Sequence, residues 1–91
     1  MLFTYCIKVS GKVQGVFYRQ SAREKANSLG ITGTVKNLES GEVEIMATGT
    51  KEQLDAFLEW CRQGPPRAVV EKLSYDQLSL KNFEQFSVVR N

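Results

Sequence analysis

Gly11-Lys12-Val13-Gln14-Gly15-Val16-Phe17-Tyr18-Arg19 is the stretch whose residue types could do chemistry. Two glycines allow a tight bend with positive φ. The segment runs into a helical pattern, and Arg19 falls in the first turn. Backbone N–H groups, a helix N-terminus and a guanidinium then point at one place. That is an anion site, most naturally for phosphate. An arginine fork can grip two phosphate oxygens at once. The same glycines are equally compatible with a plain tight turn. The stretch is not a Walker loop, because it lacks the G-x-x-x-x-G-K-[ST] spacing and a hydroxyl placed to hold magnesium.

A second stretch, Gly33-Thr34-Val35-Lys36-Asn37-Leu38-Glu39-Ser40-Gly41-Glu42-Val43, brings an amide to a strand end at Asn37. Asparagine favours such positions for local hydrogen-bonding reasons. Its side chain both donates and accepts, so it can also orient a water molecule. The chain has no histidine and two cysteines, Cys6 and Cys61. The usual general base and every Ser-His or Cys-His pair are therefore missing. A soft-ligand metal site is not expected either, since zinc sites take four Cys or His ligands.

The elements that must position these residues follow from periodicity. Residues 3–10 alternate, with Phe3, Tyr5, Ile7 and Val9 on one face and Thr4, Cys6, Lys8 and Ser10 on the other. This predicts a half-buried strand. Tyr18, Ala22, Ala26 and Leu29 share one helix face, and Gly30 stands at the expected C-terminal glycine position. Strands over 31–38 and 42–48 form a hairpin around Glu39-Ser40-Gly41. Thr50 and Gln53 make a capping box for a second helix with Leu54, Phe57, Leu58 and Cys61 on its apolar stripe, and Gly64-Pro65-Pro66 stops it. A strand over 68–76 carries Val70 and Leu73 three apart, which predicts a bulge. Phe86 and Val88 mark a short final strand. The order β-α-β-β-α-β with an added strand predicts an α+β, ferredoxin-like sandwich in one domain, 1–91. Its antiparallel sheet carries both helices on one face.

Together the two stretches closely resemble the acylphosphatase family. Residues 11–19 match its first motif, G-x-V-Q-G-V-x-F-R, with Tyr18 in place of the usual phenylalanine. Residues 33–49 resemble the second motif through Lys36-Asn37, Gly41, Val43 and Gly49, with Thr34 where an aromatic normally stands. Gly64-Pro65-Pro66-Arg67-Ala68 and Phe86-Ser87-Val88 also look like the family. The resemblance implies hydrolysis of acyl phosphates to carboxylate and inorganic phosphate without a metal or other cofactor. It implies that Arg19 binds phosphate and that Asn37 positions the attacking water. It also implies that the main-chain amides of Gly15, Val16, Phe17, Tyr18 and Arg19 cradle the phosphate oxygens. Such a reaction rests on positioning and electrostatics. Its leaving group is the anion of an acid of pKa about 4, which departs without strong protonation.

Composition limits the alternatives. At 91 residues and 24% charged, with a formal charge of +2, the chain has scattered Lys and Arg and no basic stripe. A nucleic-acid partner is not expected. An RNA-binding domain of the same topology would stack bases on sheet aromatics. The predicted open face instead offers Thr4, Cys6, Lys8 and Ser10 beside Glu42, Glu44 and Met46. No apolar run approaches a membrane span, and no signal peptide is read at Met1-Leu2-Phe3-Thr4-Tyr5. A cytoplasmic monomer with free thiols is the expectation. A non-catalytic phosphate-binding module on the same scaffold is the competing reading: it needs Arg19 and the loop, whereas only the enzyme needs Asn37.

Overall fold

The structure, a computed structural model, describes residues 1–90. The element order is β1 (Phe3–Lys12), α1 (Tyr18–Leu29), β2 (Thr32–Asn37), β3 (Val43–Gly49), α2 (Lys51–Gln63), β4 (Val69–Leu78) and β5 (Phe86–Val89). The five strands form one sheet in the order β4-β1-β3-β2-β5. The four expected strands pair antiparallel, and the added strand joins β2 in parallel, Val35 beside Val88. The sheet is therefore mixed rather than wholly antiparallel. A connection returning β5 to the open edge of β2 settles its direction, and alternation within four residues carries no trace of that.

One face of the sheet holds the core. Ile7, Val9, Val35, Val43 and Ile45 are fully buried, as are Leu54, Phe57 and Cys61 of α2 and Ala22 and Ala26 of α1. Burying each large aliphatic or aromatic side chain contributes roughly 1.5–3 kcal/mol. The alanines on α1 let that helix lie close to the sheet. Phe57 packs edge-on against Phe86, with ring centroids 6.0 Å apart, and so ties α2 to β5. The other face is more open, with Cys6 and Met46 opposed and Lys8 opposite Glu44.

Two details differ from the sequence expectation. Thr4 belongs to the open face by alternation, yet it is buried. The β4–β5 connection folds over that end of the face. There the Lys81 N–H donates to the Thr4 Oγ1 at 2.9 Å, and the Thr48 hydroxyl donates to the Lys81 carbonyl at 2.7 Å. Gly11 also proves to lie within β1 rather than in the loop. Its register slips by one residue against β4, Ser10 facing Lys72 and Gly11 facing Val70, which leaves Glu71 as the bulged residue. Here a glycine is obligatory. A Cβ on Gly11 would sit 2.2 Å from the Val69 carbonyl oxygen, and φ is 118°.

Candidate active site

The loop between β1 and α1 is held from within and open at its end. Val13 and Val16 are buried and anchor it, while Gly15 and Phe17 face solvent. Phe17 immediately precedes α1 with φ 64°, the left-handed region, and is the sole non-glycine residue there among those described. It caps no helix N–H with its side chain, and no acidic residue occupies the first turn of α1. The first N–H groups of a helix lack intrahelical partners and carry partial positive charge. In α1 they lack both a side-chain cap and a compensating acid.

Helix α2 is the internal contrast. Thr50 Oγ1 accepts from the Gln53 N–H at 3.2 Å, the Gln53 side chain accepts from the Thr50 N–H at 2.8 Å, and Glu52 sits in its first turn. The same chain thus seals one helix start with its own side chains and leaves the other open toward a cavity.

That cavity is about 300 Å³. It takes Gly15, Phe17, Tyr18 and Arg19 from the loop and first helical turn, Asn37 from the end of β2, and Val88 and Arg90 from β5 and just beyond it. The predicted pair, Arg19 and Asn37, therefore share one space although 18 residues separate them in sequence. Both are half-buried, and the Asn37 Oδ1 is withdrawn from solvent. No carboxylate lines the cavity among the described residues, so two guanidinium groups set its electrostatic sign.

Tyr18 turns inward, where its hydroxyl donates to the Cys61 carbonyl at 2.7 Å. Burial raises its pKa above the ordinary tyrosine value, with the neighbouring Cys61 adding to the rise. Its contribution to the cavity is local support and main chain, not a titrating hydroxyl. Cys61 is buried and its thiol is pushed up to about 12, chiefly by burial. Cys6 is half-buried on the sheet face, and its thiol is also raised, first by burial and then by Glu44. Both cysteines are free. Arg67 is exposed and stands outside the cavity.

Two residues of the site escaped sequence reasoning. Arg90 follows a weak terminal strand and enters only because β5 runs parallel to β2, which carries the chain past Val89 toward the Asn37 end of the sheet. Gln14 lay in the matched motif without a role. Its Nε2 donates to the carbonyls of Leu38 and Glu42, at 2.9 Å each, and so joins the loop to the turn that follows Asn37. The available signal was a long amide side chain beside Gly15 in the first motif.

The acylphosphatase family model matches residues 5–88. The chain belongs to the acylphosphatase family. It is 52% identical to the acylphosphatase of Acaryochloris marina over 93% of this chain and 94% of that protein, and 48% identical to that of Methylococcus capsulatus over the same shares. Among solved structures, an acylphosphatase from Coxiella burnetii superposes with a TM-score of 0.94 at 40% identity, covering 97% of this chain and 93% of that one. The acylphosphatase from Bacillus subtilis also gives 0.94, at 37% identity, covering 99% and 100%. The acylphosphatase reading thus holds for nearly the whole length, including both motifs and the ferredoxin-like fold. Acylphosphatases are hydrolases of acyl phosphates, and this chain is an enzyme of that class. No helix among the described residues is long and apolar enough to cross a membrane.

Proposed function

We propose that this acylphosphatase binds the phosphoryl group of its substrate at the open start of α1, with Arg19 as the ligand and Asn37 as the residue that positions water. The observation that carries the assignment is the shared cavity. An uncapped helix start, a half-buried guanidinium and a half-buried amide line the same 300 Å³. The amides of Gly15, Val16, Phe17, Tyr18 and Arg19 take the equatorial phosphate oxygens, and Arg19 neutralises charge as it develops there. Arg90 adds a second, exposed cation at the same cavity.

The water oxygen attacks phosphorus in line with the bond to the acyl oxygen. That P–O bond breaks, and its electron pair leaves on the carboxylate. Both water hydrogens depart with the phosphate, so RCO–OPO₃²⁻ and H₂O give RCOO⁻ and H₂PO₄⁻. Asn37 removes the orientational cost of placing the water, a term that can supply several kcal/mol of a barrier. None of these steps calls on a metal or an imidazole. The enzyme acts as a monomer in the cytoplasm on small acyl phosphates.

The test is hydrolysis of acetyl phosphate and benzoyl phosphate with excess chelator present, with inorganic phosphate as competitor. Turnover is expected to persist in chelator, with competitive inhibition by phosphate. Turnover only after adding a divalent metal would overturn the mechanism. Phosphate binding without turnover would return the chain to the binding-module reading.

A further inference from the structure

We propose that Gln14 is a positioning residue that sets the aim of Asn37 on the bound phosphoryl group. The inference rests on the roles given above to Arg19 and Asn37. The phosphate loop continues from β1, whereas Asn37 ends β2, and β3 lies between those strands in the sheet. Two strand spacings separate the strand ends, about 10 Å. A phosphate held on the loop and a water held by Asn37 are thus mounted on parts of the chain that share no direct strand pairing.

Gln14 spans the gap. It is half-buried, and both N–H bonds of its amide are committed to the far side, one to the Leu38 carbonyl and one to the Glu42 carbonyl, each at 2.9 Å. These carbonyls follow Asn37 and precede Val43, the residue paired with Asn37 across the hairpin. The turn does not require Gln14 to close. The Leu38 N–H already donates to the Glu42 carbonyl at 2.8 Å, and the Gly41 N–H to the Leu38 carbonyl at 3.1 Å. Ser40 adds a hydroxyl bond to the Glu42 carboxylate at 3.0 Å. The Gln14 amide therefore adds a cross-link between loop and turn to a hairpin that is complete without it. Its consequence is geometric: an in-line attack tolerates little error, and a displacement of about 1 Å can cost roughly 10²-fold in rate.

Gln14→Glu tests this, because the carboxylate keeps the length but cannot donate to either carbonyl. Gln14→Ala serves as the second variant. In folded protein, kcat is expected to fall roughly 10- to 100-fold while the inhibition constant for inorganic phosphate stays within about a few-fold. The decisive measurement is the double variant. In an Asn37→Ala background, Gln14→Glu should lower kcat by less than about twofold, because its effect passes through Asn37. Losses that multiply would overturn the inference and leave Asn37 in place. So would unchanged kcat, an equal loss of phosphate binding, or failure of both single variants to fold, which would make the bridge a folding element. Near-normal turnover in Asn37→Ala alone would instead remove the water-positioning role on which the inference rests.

Discussion

The Tyr18 hydroxyl donates to the Cys61 carbonyl at 2.7 Å, at the end of α2 where the helix cannot supply a donor of its own. The residue four positions on from Cys61 is Pro65, which has no N–H. The first turn of α1 thus completes the last turn of α2, and the site's supporting helix is fastened to the core next to Arg19. Tyr18→Phe leaves the carbonyl buried without that partner and should cost about 1–2 kcal/mol. For a chain of this size the melting temperature falls by roughly 4–16 °C, readable by thermal unfolding.

The same pair gives an alkaline dependence. Both groups are neutral in the fold and held above their ordinary values of 9.0 for the thiol and 10.0 for the phenol. The unfolded chain loses those protons first, so stability is full below about pH 9 and declines as pH rises through about 12, the folded value for Cys61. Melting temperatures measured from pH 8 upward should fall past pH 9, and less steeply in Tyr18→Phe. A flat profile would contradict the burial argument.

Arg19→Ala and Arg19→Lys should both lose roughly 10²–10³-fold in turnover, because an ammonium cannot reproduce the two-pronged grip on phosphate. Phosphate affinity should fall in both. Arg90→Ala is expected to weaken phosphate only a few-fold, and the difference should vanish at high salt, as befits an exposed cation. Titration of phosphate at two ionic strengths checks both residues, and near-normal turnover in Arg19→Lys would remove Arg19 from its role.

Asn37→Ala should separate binding from catalysis. Turnover falls by roughly 10²-fold or more, the scale for one preorganised polar group, while phosphate inhibition stays within a few-fold. A variant that melts early yet hydrolyses normally would make Asn37 a strand-end residue only.

Gly33 tests the sheet beneath Asn37. Its φ is 150°, and an added Cβ would fall 1.7 Å from the Met46 carbonyl oxygen of β3. Backbone must move to admit it, so Gly33→Ala should destabilise by about 3 kcal/mol. Chemical denaturation measures this directly. A shift under about 0.5 kcal/mol, the range of ordinary surface changes, would refute the close approach.

Much of this molecule is written locally. The faces of α1 and α2, the Thr50–Gln53 box, Gly30 after α1 and the β4 bulge are all where short-range spacing puts them, because each depends on residues a few positions apart. The motif residues around Arg19 and Asn37 are legible for the same reason, since their types and order travel with the sequence. Other features depend on segments that meet only in the folded chain. Thr4 is buried by Lys81, far along the chain; Arg90 enters the cavity because β5 runs parallel to β2; and Gln14 finds its two acceptors in the turn between β2 and β3. Alternation can assign Thr4 to a face but cannot say what later covers that face, and a lone amide in a loop carries no record of the carbonyls it will meet. Packing of distant segments decides those contacts, because a buried polar group must find whatever partner the tertiary fold brings within hydrogen-bonding reach.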